Sequence, residues 1–365
     1  SFKGNIGGIG TFTKNIAEQL TKNNCKVTVF IYSHSVEEIL IENGVEIHFV
    51  KKKVVKGITW FTNRRYFNKY ANRIIAQKKI QVIEAPEWTG FTAFMKFNCS
   101  FVIRLHGSDT YFCNLENRKV KSKNHFFEKQ ALLGADIIVG VSKFVAEKTQ
   151  ELFKLKKEIL VIYNAIDTCL FTPNHESIKP KSLLYFGTII RKKGVLEIAK
   201  MFNSIIEKDN EVKLTLLGRD NIDVFTKQST LKMFKEILSE KAMKSVTFLK
   251  AVPYHKVIRH IQESEVILLP SFAEAFPMTW LEAMALEKKT ITSNIGWAKE
   301  LMIDGDTGFM INPINTNEFA AKVLDLLKED GKGETMAKEA RKRIMNKFDA
   351  KESINHNMKL YKSLV

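Results

Sequence analysis

Two residue types are scarce in this chain of 365 residues: there are four cysteines and seven prolines. The cysteines (Cys25, Cys99, Cys113, Cys169) stand far apart with no Cys-x-x-Cys pair, which argues against a disulfide framework and offers no metal site. So few prolines, and no low-complexity tract, argue against long disordered linkers. No apolar run approaches the roughly 18 residues of a membrane span, and the opening residues do not read as a signal peptide, so a cytoplasmic protein is expected. Acidic residues are also short: the net charge is +17, and residues 47–83 hold ten Lys or Arg and no Asp or Glu.

What remains is ordinary globular composition, 45% apolar and 27% charged, in a length that suits two domains. Trp60, Phe61, Tyr66, Phe67 and Tyr70 interleave with the basic run, whose cations extend from Lys51 to Lys79. That run reads either as a solvated helix face or as a surface for an anionic partner, a membrane or a phosphate-bearing acceptor. Nucleic acid is not expected, because no nucleic-acid motif accompanies the charge.

Short apolar runs at Lys26–Ile31, Val45–Val50, Gln81–Glu84, Phe101–Leu105, Asp136–Val141 and Ile159–Ile162 alternate with helical stretches, predicting a parallel sheet covered on both sides. A polar stretch with two prolines at 172–180 then precedes a second α/β unit opening at Leu183. The residue boundaries read from this are 1–172, 173–348, and a terminal helix at 349–365.

Leu269 to Leu286 is the most informative stretch. An apolar strand ends at Pro270-Ser271, Glu274 follows in a loop, and Pro277 suits the start of a helix that carries Glu282. Both carboxylates then look out of the C-terminal edge of a parallel sheet, where the amides of Met278 and Thr279 favour phosphate. Carboxylates beside an anion site suit a ligand with hydroxyls and phosphates, which a nucleotide-sugar has. The plain alternative is an acidic loop followed by a helix with one solvated Glu.

Ser271-x-x-Glu274-x-Phe276-Pro277-x4-Glu282-Ala-Met-Ala resembles the Glu-x7-Glu pattern of retaining glycosyltransferases of the GT-B fold, family 4 type (group 1). The resemblance implies two Rossmann-like domains facing a cleft, with a C-terminal helix crossing back to the first. It assigns ribose hydroxyls to Glu282, donor-sugar hydroxyls to Glu274, and donor contacts to Phe276, Pro277 and Met278. Gly7-Gly8 matches the glycine pair beside the donor diphosphate. The strand that usually precedes that pair is missing here, which suggests a truncated N-terminus. His106, after the Phe101–Leu105 strand, matches a histidine near donor sugar and acceptor. Ser142 reads as a helix N-cap. In the second domain, Lys193 matches the family lysine that grips the diphosphate, while Thr188 stands where an arginine is usual. Arg191 is the substitute expected, because its fork can hold two phosphate oxygens.

The function implied is metal-independent transfer from a nucleotide-diphosphate sugar, preferably a UDP-sugar, to a glycan or lipid-linked acceptor in polysaccharide synthesis. His106, Lys193 and Glu274 are the catalytic group, with Gly8, Arg191, Lys193, Phe276, Pro277, Met278 and Glu282 on the donor. No metal or other cofactor is implied. Domain closure is expected to expel water. A non-catalytic binding subunit, or a nucleotide-sugar epimerase, is the competing reading.

Overall fold

The computed structural model describes residues 7–33, 37–53, 56, 59–328 and 331–365. The expected glycine loop is therefore seen only from Gly7 onward, and residues 54, 55, 57 and 58 of the basic run lie outside the described residues. Two compact units result, one of residues 1–164 with 351–365, the other of residues 165–350. The division falls before the polar stretch read as the boundary. Residues in that stretch already bond within the second unit: Gln262 donates to the Thr172 carbonyl at 2.8 Å and Lys179 N to the Glu263 carbonyl at 2.9 Å.

The first unit runs α1 (Gly8–Lys22), β1 (Thr28–Ser33), β2 (Glu38–Glu42), β3 (Val45–Lys51), α2 (Thr59–Lys78), β4 (Val82–Pro86), β5 (Ser100–Leu105), α3 (Asp109–Leu115), α4 (Ser122–Gly134), β6 (Ile137–Gly140), α5 (Lys143–Phe153) and β7 (Ile159–Val161). Its strands make two sheets, β1-β3-β2 and the all-parallel β4-β5-β6-β7, where the sequence suggested one. β2 was not foreseen, and it pairs antiparallel to β3. The turn between them, Asn43-Gly44, has φ of 51° and 78°, the paired left-handed backbone of a tight hairpin, which Asn-Gly adopts readily. Ser142 does cap α5, accepting from Val145 N at 3.0 Å.

A C-terminal helix (Ala350–Lys362) packs on the four-stranded sheet, Leu360 and Tyr361 lying with Val102, Val139 and Val82. A buried polar network fixes it. Arg104, 1% exposed on β5, donates Nε and Nη2 to the two Glu84 oxygens at 2.7 and 2.8 Å, and Nη2 to Asn357 Oδ1 at 2.6 Å. Tyr361 donates its hydroxyl to Glu84 Oε2 at 2.8 Å. Such a pair holds only while both partners are present, because either charge left alone is poorly solvated.

In the second unit the order is β8 (Ser182–Phe186), α6 (Val195–Lys208), β9 (Lys213–Leu217), α7 (Thr230–Ile237), α8 (Glu240–Met243), β10 (Val246–Leu249), α9 (Tyr254–Glu263), β11 (Val266–Leu269), α10 (Met278–Ala285), β12 (Lys289–Ser293), α11 (Ala298–Leu301), β13 (Phe309–Ile311), α12 (Thr316–Leu326) and α13 (Lys332–Lys347). One parallel sheet results, in the order β10-β9-β8-β11-β12-β13. The chain winds outward from β8 through β9 to β10, then returns to β11 on the other side of β8. The C-terminal ends of β8 and β11 therefore form a switch point, where open α/β sheets bind ligands. Below it, α6 and α12 bury Ile198, Phe202, Ile205, Phe319 and Val323 against Leu214, Leu216 and Ile291.

Arg104→Ala should cost about 3 kcal/mol in urea unfolding. Tyr361→Phe should cost about 1 kcal/mol. Equal losses would mean that the arginine is not the centre of the network.

Candidate functional site

The switch point is built from two loops locked together. After β8 the chain turns through Gly187 to a 3-10 turn at Arg191–Lys193, then Gly194 caps α6 with φ of 72°. A Cβ at Gly194 would lie 2.0 Å from the Pro270 carbonyl oxygen, so no other residue fits beside the β11 end. Phe272 N donates to the Lys192 carbonyl at 2.7 Å across the same seam. These contacts put the Lys193 ammonium directly on Glu274 Oε1. Glu274 is 8% exposed. The buried Tyr185 phenol, pushed up first by burial and then by the Glu274 charge, donates to the Thr188 carbonyl at 2.6 Å.

Pro277 precedes α10, which begins at Met278, and among the described residues no side-chain cap bond closes that helix start. A Cβ on Gly187 would sit 3.9 Å from Thr279 Cγ2, which places that helix start at the β8 turn. Glu282 lies on the same helix, 5% exposed, and accepts from the Tyr254 hydroxyl at 2.5 Å. Burial pushes its carboxyl up to about 7, against the Tyr254 hydrogen bond and the Lys193 charge. Phe276 is buried, its ring 5.5 Å from that of Phe348.

Arg191 does not join this group. Its Nε and Nη2 are held by Asp223 at 2.7 and 3.0 Å. Asp223 is fully buried and also accepts from the amide and hydroxyl of Thr226, each at 2.8 Å. This pairing holds its carboxyl well below the usual range. One edge of the guanidinium is thus committed within the protein, while the side chain stays 35% exposed. The two partners stand 32 residues apart, so no local pattern points to the pair.

The first unit carries a second cluster. Phe12, one turn into α1 from Gly8, meets the His106 ring edge-on at 4.7 Å, so the glycine entry and the histidine loop are neighbours. Burial, then the Arg104 charge, pushes His106 down to about 3, leaving a neutral imidazole. The His106 amide donates to Glu87 Oε2 at 3.0 Å. Glu87 is 1% exposed, its Oε1 has no hydrogen-bond partner among the described residues, and burial pushes it up to about 8. Glu128, also buried, accepts from the amides of Thr89, Asp109 and Thr110 at 3.1, 2.9 and 3.1 Å. Two buried carboxyls thus pin the loop that carries His106. Sequence reading missed both, and also missed Tyr254; a glutamate just after a strand, as in Pro86-Glu87-Trp88, was the available signal. No cluster of three or more His, Cys, Asp or Glu suited to a metal occurs among the described residues.

A two-unit α/β architecture with a site at the switch point of a parallel sheet is shared by the GT-B glycosyltransferases. The model of the family "Glycosyl transferases group 1" matches residues 171–343, and that of "Glycosyltransferase Family 4" matches residues 6–169. The chain belongs to the group 1 glycosyltransferases of GT-B fold. An uncharacterised glycosyltransferase of Methanocaldococcus jannaschii is 24% identical, the match covering 98% of this chain and 95% of that one. The capsular polysaccharide biosynthesis glycosyltransferase CapM of Staphylococcus aureus is 26% identical over 62% of this chain and 61% of its own. Among solved structures, sucrose-phosphate synthase of Thermosynechococcus elongatus superposes with a TM-score of 0.81 at 17% identity, covering 98% and 94% of the two chains. Anabaena HepE, solved with UDP and glucose, gives 0.80 at 16% identity, covering 99% and 98%.

The Glu87 carboxyl supplies a pH test. Burial raises the Glu87 carboxyl to about 8, far above a free glutamate, so its protonated form stabilises the fold, and that contribution is lost as pH rises from about 5 to beyond 8. Glu87→Gln should therefore melt higher than wild type at pH 9, by at least about 1 kcal/mol, and match it near pH 4. A difference independent of pH would place the charged carboxylate in the fold instead.

Proposed function

We propose that the chain is a retaining glycosyltransferase that moves a sugar from a nucleotide-diphosphate donor, a UDP-sugar by preference, to a glycan or lipid-linked acceptor. The observation that carries this reading is the Lys193–Glu274 pair at the switch point, with Glu282 behind it on α10. When the bond from anomeric carbon to phosphate oxygen breaks, negative charge grows on the departing diphosphate. A fixed ammonium and uncapped helix amides stabilise that charge without reorganising. Lys193 and the start of α10 supply both. Glu274 holds the sugar hydroxyls, and Glu282 holds the ribose hydroxyls in place of the Tyr254 phenol. In same-face transfer the acceptor oxygen bonds the anomeric carbon while its proton passes to the leaving phosphate oxygen, so no separate base is needed. His106, neutral and fixed through Glu87, positions groups at the reacting centre. No step of this scheme calls on a metal. Bound UDP in HepE and sugar transfer in CapM support the reading by analogy. A lipid-linked acceptor would bring the chain to the inner face of a membrane.

Arg191, tied to Asp223, favours a second reading in which the chain binds nucleotide or glycan without turnover. One experiment separates the two. Thermal melting with UDP, GDP, ADP and their sugar conjugates should show one nucleotide stabilising wild type by about 2.7 kcal/mol at a hundredfold excess over its dissociation constant. Glu282→Ala should lose that gain, and slow hydrolysis of the matching nucleotide-sugar should accompany wild type alone. Stabilisation without hydrolysis would favour the binding-only reading, and no stabilisation would refute the donor assignment.

A further inference from the structure

The Glu282 carboxyl already has a partner. Among the described residues its one hydrogen-bond donor is the Tyr254 phenol, which reaches Oε1 at 2.5 Å. The pair joins unlike surroundings, since Glu282 is 5% exposed and Tyr254 is 42% exposed. The tyrosine ring meets buried Phe171 edge-on, with centroids 6.0 Å apart. An exposed residue thus reaches inward to a buried carboxyl. Tyr254 also opens α9, and the turn it opens is lightly held. Pro253, His255 and Lys256 are exposed, and the one buried residue of the helix is Ile261, two turns further on. A turn with so few buried contacts belongs to the easily opened part of a fold.

We propose that Tyr254 is a latch on the nucleotide site. In the empty protein its phenol holds the Glu282 oxygen that ligand hydroxyls must take, and a ribose diol opens the latch by replacing it. The proposal rests on the reading that Glu282 faces the donor ribose. A phenol O–H is chemically a stand-in for a sugar hydroxyl, one donor aimed at one carboxyl oxygen. The second Glu282 oxygen has no hydrogen-bond partner among the described residues. A cis-diol brings two donors and can fill both oxygens where the phenol fills one.

A closed latch lowers the apparent affinity of every ligand that needs Glu282 by one common factor, the fraction of sites that stand open. A ligand held by Lys193 and the start of α10 alone escapes that reduction. The spent nucleoside diphosphate carries the same ribose as the donor, so the phenol weakens product binding as much as donor binding. Between visits it keeps the buried carboxyl from standing without a donor, which an open site would leave it. A tyrosine that instead props Glu282 in its binding pose would have the opposite effect on affinity, because removing its hydroxyl would then weaken nucleotide binding.

Calorimetric titration of UDP, GDP, ADP and inorganic pyrophosphate into wild type and Tyr254→Phe tests the latch. The variant should bind the preferred nucleoside diphosphate about tenfold more tightly, since a hydrogen bond to a charged group no longer has to be broken. Pyrophosphate, which has no ribose, should bind the two proteins alike. Without ligand the variant should melt at or below the wild-type temperature, so tighter binding cannot come from a sturdier fold. Equal nucleotide affinity in the two proteins would overturn the latch and leave the donor assignment standing. Weaker binding by the variant would overturn it as well, and make Tyr254 a support for Glu282. A gain that pyrophosphate shares would do the same, since the ribose would then play no part. If no nucleotide binds either protein, the donor assignment and the latch fall together.

Discussion

The Pro270 carbonyl occupies the space that a side chain at position 194 would need. That contact lets the loop after β8 lie against the end of β11, and the Phe272–Lys192 backbone bond closes the seam. Lys193, next to the glycine, is thereby held against Glu274, and the uncapped start of α10 lies at the Gly187 turn. A lysine or a carboxylate placed singly on a loop would be mobile and solvated. Here the chain's own backbone preorganises both, and preorganised charge is what a departing diphosphate needs.

The carboxyls around the two clusters divide by environment. Glu274 is tied to a cation, whereas Glu282 and Glu87 are pushed toward neutrality by burial, to about 7 and about 8. The first suits holding polar hydroxyls in a charged setting. Burial raises the Glu282 carboxyl, so the hold on hydroxyls proposed for it would vary with pH. Glu87 works through the His106 amide and so acts on the position of the ring, while Glu128 fixes the residues that follow it. Arg191 illustrates a different case, a cation in the same loop with one edge of its guanidinium held by a buried aspartate.

What the sequence made legible was local. Six apolar runs of the first half became strands within a residue or two, and the helix after Pro277 begins at Met278. Ser142 caps its helix, and the C-terminal helix returns to the first unit. The strand β2 was missed although Asn43-Gly44 announced its hairpin, because its short polar-apolar alternation was overlooked beside the longer apolar runs. What could not be read was long-range. Nothing near Arg191 announces Asp223, and Glu87 gains its meaning only once β4 and β5 lie side by side.

Calorimetric titration of UDP and of uridine into wild type and Lys193→Ala tests the central claim most directly. If Lys193 and the helix start hold the diphosphate, wild type binds UDP more tightly than uridine, and Lys193→Ala narrows that preference about tenfold or more while leaving uridine affinity nearly unchanged. An undiminished preference for UDP in the variant would contradict the account, since the diphosphate would then be held elsewhere.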